Sequence, residues 1–124
     1  MLGNAPPVTF IATAKPDEAV AFYRDVLGLA FVADTPFAKV FEADGVMLRV
    51  TPVPEHKPQP FTVLGWKVAD IAATVTALAK KGVTFARFPG VDQDAAGIWT
   101  SPDGGKVAWF KDPDGNLLSL TQFR

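Results

Sequence analysis

Residues 109–120 read WFKDPDGNLLSL. Asp112-Pro113-Asp114-Gly115 holds residues that turns need for separate reasons. Pro presets φ, Gly reaches positive φ, and an Asp carboxylate bonds the backbone two residues on. Apolar runs flank the turn, so residues 106–111 and 116–122 are expected to pair as a hairpin. An earlier stretch repeats the pattern. Asp44-Gly45 joins strand-like residues 37–43 and 46–53, with a further strand-like run at 29–33.

Each hairpin lies downstream of a strand and a helix. Residues 8–14, VTFIATA, are β-branched and apolar and predict a strand. Pro16 then opens a helix, where its missing N–H costs nothing, and Asp17 and Glu18 suit the positive helix end. Ala19, Phe22, Tyr23, Val26 and Leu27 recur at helical spacing, and Gly28 ends the helix. In the second half, residues 61–68 predict a strand. Asp70 is an N-cap, Ile71, Val75 and Leu78 form the apolar stripe, and Lys80, Lys81 and Gly82 close the helix. Residues 83–88 then read as a strand, followed by a Gly-rich stretch containing GIWTS at 97–101. Between the halves lies PVPEHKPQP, residues 52–60, whose prolines favour an extended connector.

The pattern predicts one α+β domain over residues 1–124, built from two βαβββ modules. Module one spans 8–53 and module two 61–124, with the connector at 52–60. Gly28 and Gly82 are 54 positions apart, whereas Gly45 and Gly115 are 70 apart. The difference of 16 places an insertion in the second half, between Phe88 and Gly105. It is expected to form either a mouth loop or an ordinary surface loop.

Composition narrows the function. Net charge is −1, with 12 basic and 13 acidic residues mixed along the chain, so no basic stripe is available to follow a nucleic acid backbone. The absence of cysteine excludes disulfides, thiolate nucleophiles and thiolate metal sites. No apolar run approaches the ~20 residues of a spanning helix, and no signal peptide is visible. A cytoplasmic protein without nucleic acid or membrane partners is the expectation.

AFYRDVLGL at 21–29 and WFKDPDGNLLSL at 109–120, with the two-module layout between them, resemble the vicinal oxygen chelate superfamily. This group includes glyoxalases, bleomycin- and fosfomycin-resistance proteins and extradiol dioxygenases. The resemblance covers nearly the whole chain. It implies curved mixed sheets that enclose a cleft, with the helices outside, and a homodimer in many members. Enzymatic members hold a divalent metal through His, Gln or Glu on the first and last strand of each module. Carried onto this sequence, those positions fall at Val8 (or Thr9), Arg49, Val63 and Ser119. Val has no lone pair and Arg is a permanent cation, which leaves one neutral hydroxyl. No metal and no other cofactor is therefore expected. His56, the one histidine, lies in the connector and reads as a solvated loop side chain.

Strand alternation then assigns faces. Val8, Phe10, Ala12, Met47, Arg49, Thr51, Val63, Gly65, Lys67, Leu117, Ser119, Thr121 and Trp109 share the face of the ligand positions. Trp99 and Phe41 are left open, and Trp66, Leu48, Val50, Leu64, Leu118, Leu120 and Phe110 are expected beneath the helices. Phe10, Met47, Arg49, Lys67, Trp109 and Ser119 are the candidate ligand-binding residues, and no catalytic residue is assigned. Arg49, with Lys67, is expected to take an anionic or carbonyl-bearing aromatic molecule; the alternative is that Arg49 pairs with an acid or reaches to water. The leading expectation is a metal-free small-molecule-binding protein. The others are a metal-dependent lyase, isomerase or dioxygenase, a metal-free enzyme using Lys67, Tyr23 or Arg49, and an interaction module with a vestigial cleft.

Overall fold

Helix α1 begins at Pro16, carries Asp17 and Glu18 in its first turn, and runs to Ala21 (Pro16–Ala21). A π-helical turn, Phe22–Val26, continues it, with Leu27 N–H donating to the Phe22 carbonyl over 2.9 Å. Sequence spacing predicts an unbroken α-helix here, because one widened turn leaves the apolar face nearly unchanged. The turn buries Tyr23 completely, edge-on to Phe22 at 5.3 Å and tilted against Phe41 at 5.9 Å.

The computed structural model describes residues 1–124, which form two compact units, Met1–Lys57 and Pro58–Arg124. In unit one, β1 (Val8–Thr13), β2 (Ala30–Asp34), β3 (Lys39–Ala43) and β4 (Val46–Pro52) form a sheet in the order β1-β4-β3-β2. β1 and β4 are parallel, which requires a crossover of the kind α1 provides, and the other pairs are antiparallel. Asp44 (φ 49°) and Gly45 (φ 80°) both take the left-handed conformation, the geometry of a tight two-residue hairpin.

Unit two repeats the topology with β5 (Thr62–Lys67), α2 (Ile71–Lys80), β6 (Trp99–Thr100), β7 (Lys106–Lys111) and β8 (Leu117–Gln122), ordered β5-β8-β7-β6. Asp70 caps α2 by accepting from Ala73 N–H at 3.1 Å, and Gln122 Oε1 accepts from Ile71 N–H at 2.9 Å. Ile71, Val75 and Leu78 are buried, as are Phe110, Leu118 and Leu120 on the sheet. Each such side chain contributes about 2 kcal/mol by leaving water. Trp66 stacks on Phe110 at 6.4 Å. The chain is thus α+β, with two four-stranded mixed sheets, each served by one α-helix.

One expected strand does not form. Residues 83–88 make a single bridge, Phe85 to Phe110, and Ala86 N–H donates to the Trp109 carbonyl at 2.8 Å. A side chain claims the neighbouring backbone groups. Gln93 Oε1 accepts from Phe88 N–H at 2.8 Å, and its Nε2 donates to the Ala86 and Gly97 carbonyls at 2.9 and 2.8 Å. GIWTS supplies the edge strand β6 instead. The hairpin at Asp112 is closed by its own carboxylate. Oδ1 accepts from the Asp114 and Asn116 N–H groups and Oδ2 from Asn116 Nδ2, all at 2.9 Å. No helix is long and apolar enough to cross a membrane.

Candidate functional site

Alternation leaves each sheet with one face under its helix and one face free of helix. In unit one Ile11, Thr13, Leu48 and Val50 are buried, whereas their neighbours Val8, Phe10 and Met47 are exposed. Register aligns Phe10, Arg49 and Val40 in one row across β1, β4 and β3. Val8, Met47 and Glu42 form the next row. Phe10 is 63% exposed although it lies mid-strand. Arg49 is partly exposed between Phe10 and Val40 and makes no ion pair or side-chain hydrogen bond within its unit. Phe41 belongs to the opposite face, fully buried against Tyr23 and Phe31.

In unit two the equivalent row is Gly65, Ser119 and Trp109. A side chain at residue 65 would place its Cβ only 2.5 Å from Ser119 Oγ, so glycine leaves a notch into which the hydroxyl leans. Ser119 is 7% exposed, yet its hydroxyl has no hydrogen-bond partner within the unit. Trp109 borders the notch. Its ring lies 5.4 Å from Phe88, edge to face, and 6.3 Å from Trp99, tilted by 33°.

The adjacent rows add charge at both ends. Lys67, Thr121, Val107 and Trp99 form one, and Thr62, Leu117 and Lys111 the other. Lys67 and Lys111 are exposed and neither makes an ion pair within the unit. Beside Lys111 a recess of about 400 Å³ opens between Phe88, Leu117, Gly115 and the Pro58–Pro60 segment. Gly115 (φ 83°) permits this approach, since its missing Cβ would stand 3.2 Å from Pro58 Cγ.

All six sequence-assigned residues lie on helix-free faces, Phe10, Met47 and Arg49 in unit one and Lys67, Trp109 and Ser119 in unit two. Val63 departs from simple alternation. Register shifts between Thr62 and Leu64, so Thr62 pairs with Leu117 and Val63 lies in the irregularity. Sequence reasoning misses Lys111, although the alternation that selects Trp109 extends to it two residues on. It also misses Phe88, which the expected strand over 83–88 conceals, and the partner role of Gly65 toward Ser119.

The donor chemistry does not suit a divalent ion. Val8 and Val63 offer only carbon, Arg49 a cation and Ser119 one neutral oxygen. In neither unit do three or more His, Cys, Asp or Glu side chains gather. The displaced pKa values lie in a helix and a turn. Asp25 raises Arg24 by hydrogen bond and charge, and the Ser101 hydroxyl followed by Gly105 N–H lowers Asp103. Neither Arg24 nor Asp103 belongs to the paired rows of the helix-free faces, so neither supplies them with a tuned acid or base.

Comparison with known proteins places this geometry in a family. The profile described as Glyoxalase/Bleomycin resistance protein/Dioxygenase superfamily matches residues 6–120. Among solved structures, TnmS3, an antibiotic binding protein from Streptomyces sp. CB03234, is 23% identical with a TM-score of 0.73, covering 98% of each chain. Lactoylglutathione lyase from Agrobacterium tumefaciens is 21% identical with a TM-score of 0.73, covering 96% of this chain and 93% of its own. A superfamily member from Sphaerobacter thermophilus DSM 20745 is 22% identical with a TM-score of 0.70, covering 94% and 97%. At these identities the likeness is one of fold. No curated protein sequence matches the chain. With the profile spanning nearly its full length, the chain belongs to the Glyoxalase/Bleomycin resistance protein/Dioxygenase superfamily.

Proposed function

We propose that this protein binds a small aromatic molecule without a metal, on the helix-free face of unit two. One observation carries the reading: the Ser119 hydroxyl, on a residue only 7% exposed, leans into the Gly65 notch without a hydrogen-bond partner in its unit, beside the Trp109 ring. A ligand that covers this hydroxyl and bonds it replaces its contact with water by a hydrogen bond of fixed direction. Trp109, Phe88 and Trp99 offer stacking surface to a planar body. Lys67 and Lys111 at the two ends favour a negative or carbonyl group. Arg49, also without an acidic partner in its unit, is assigned the same preference on the face of unit one. The antibiotic binding protein of the same fold is consistent with a binding role, and the lyase shows that the fold also serves catalysis. The resemblance adds the expectation of a homodimer.

Thermal-shift titration of chelator-treated protein tests this. Naphthalene-2-carboxylate and related planar acids are expected to raise the melting temperature, since a ligand of the native state stabilises it. Mn²⁺, Fe²⁺, Ni²⁺ and Zn²⁺ are expected to leave it unchanged. Specific stabilisation by one metal at micromolar concentration would instead return the metal-dependent lyase, isomerase or dioxygenase reading.

A further inference from the structure

Unit two has a second concavity, on the helix side of its sheet. It runs between the C-terminal half of α2 and the segment from Val83 to Ala96, with a volume of about 550 Å³. That size suits a small ligand. Val75, Val83 and Phe85 form an apolar floor, and Ala79, Ala95 and Ala96 are short enough to leave it open. Phe85 bridges Phe110, whose ring faces the helix, so this groove and the Trp109 notch lie on opposite sides of the sheet.

The charge around the groove has one sign. Lys80 and Arg87 line it, and no acidic side chain does. Arg87 is fixed in place by its own loop. One terminal nitrogen donates to the Asp94 carbonyl at 2.8 Å and the other to the Gln93 carbonyl at 3.0 Å. These bonds use two of five guanidinium N–H groups and leave the charge uncancelled. Asp94 Oδ1 accepts from Ala96 N–H and Ile98 N–H at 2.9 Å each, and its carboxylate makes no ion pair with Arg87. Lys80 makes no ion pair within the unit. The end of α2 contributes only about half a negative charge, less than the two cations.

We propose that this groove is a second ligand site, for a small amphipathic anion. A single short apolar tail lies over Val75, Val83 and Phe85, and the anionic head meets Arg87 and Lys80. An oriented, partly satisfied arginine loses little freedom when it bonds a carboxylate, which favours that head over a neutral one. The site is independent of the aromatic notch.

Octanoate is the probe, titrated into ¹⁵N-labelled protein with amide shifts as the readout. Saturable shifts are expected at Ala79, Ala95 and Ala96. Octan-1-ol, with the tail but no charge, is expected to bind at least tenfold more weakly, and acetate, with the charge but no tail, not to saturate. Arg87→Gln and Lys80→Gln should each weaken octanoate about three- to tenfold, whereas Trp109→Ala should leave it unchanged. Lys80→Gln keeps every bond of the Arg87 loop, so it stays informative if Arg87→Gln disturbs that loop. Octanoate shifts confined to the Trp109 face, equal affinity for octan-1-ol, or no effect of Lys80→Gln would overturn the proposal.

Discussion

The two units share a topology but present different surfaces. Row for row, Phe10, Arg49 and Val40 in unit one correspond to Gly65, Ser119 and Trp109 in unit two. On the first strand a large exposed ring faces a missing side chain. On the last, a cation in unit one corresponds to a serine hydroxyl in unit two. On the third, a buried valine faces a tryptophan. The backbone thus fixes where a site can be, while three substitutions per row decide whether it is a ridge or a notch. The hairpins differ in the same way. Unit one turns through the left-handed pair Asp44 and Gly45, whereas unit two turns around the buried Asp112 carboxylate.

The hairpin contrast gives the largest expected effect. Asp112→Ala removes three bonds to a carboxylate in a residue only 6% exposed and is expected to cost about 3 kcal/mol. Asp44→Ala strains only a positive φ and should cost about 1 kcal/mol. Urea denaturation of the two variants measures the difference, and equal costs would erase the contrast. Next is the notch. Gly65→Ala drives a methyl toward Ser119 Oγ and should cost about 2 kcal/mol. Adding Ser119→Ala should recover most of that, as a double-mutant cycle would show. At the matching position Phe10→Ala should change stability by less than about 0.5 kcal/mol, because the ring is already exposed.

A smaller effect sharpens the aromatic side of the comparison. Gln93→Ala releases Ala86, Phe88 and Gly97 from one side chain and is expected to cost about 1.5 kcal/mol. Because Phe88 packs on Trp109, near-ultraviolet circular dichroism should change as well. A spectrum unchanged from wild type would mean that the loop is held in place by other contacts.

Sequence made the architecture legible where local chemistry and tertiary structure agree. Turn residues at 44–45 and 112–115, glycines ending the helices and the N-cap at Asp70 each have one cheap conformation, and the fold uses it. Alternation likewise placed Phe10, Arg49, Trp109 and Ser119 on the helix-free faces. Legibility failed where a long-range side chain replaced a backbone partner. Residues 83–88 have strand composition, but Gln93 takes the hydrogen bonds that a strand would need. It also failed at Val63, since register irregularities leave no mark in a β-branched run. The notch was beyond sequence because it depends on Gly65 and Ser119 being neighbours across two strands, 54 positions apart in the chain.

The central claim is that the Gly65 notch, and not a metal, receives the ligand. Its most direct test is a titration of naphthalene-2-carboxylate into chelator-treated protein by tryptophan fluorescence, comparing wild type with Trp109→Phe and Gly65→Ala. Saturable binding in wild type, weakened about tenfold by Gly65→Ala and less by Trp109→Phe, is the predicted result. Binding that appears only after a divalent metal is restored, or that is indifferent to Gly65→Ala, would contradict the account.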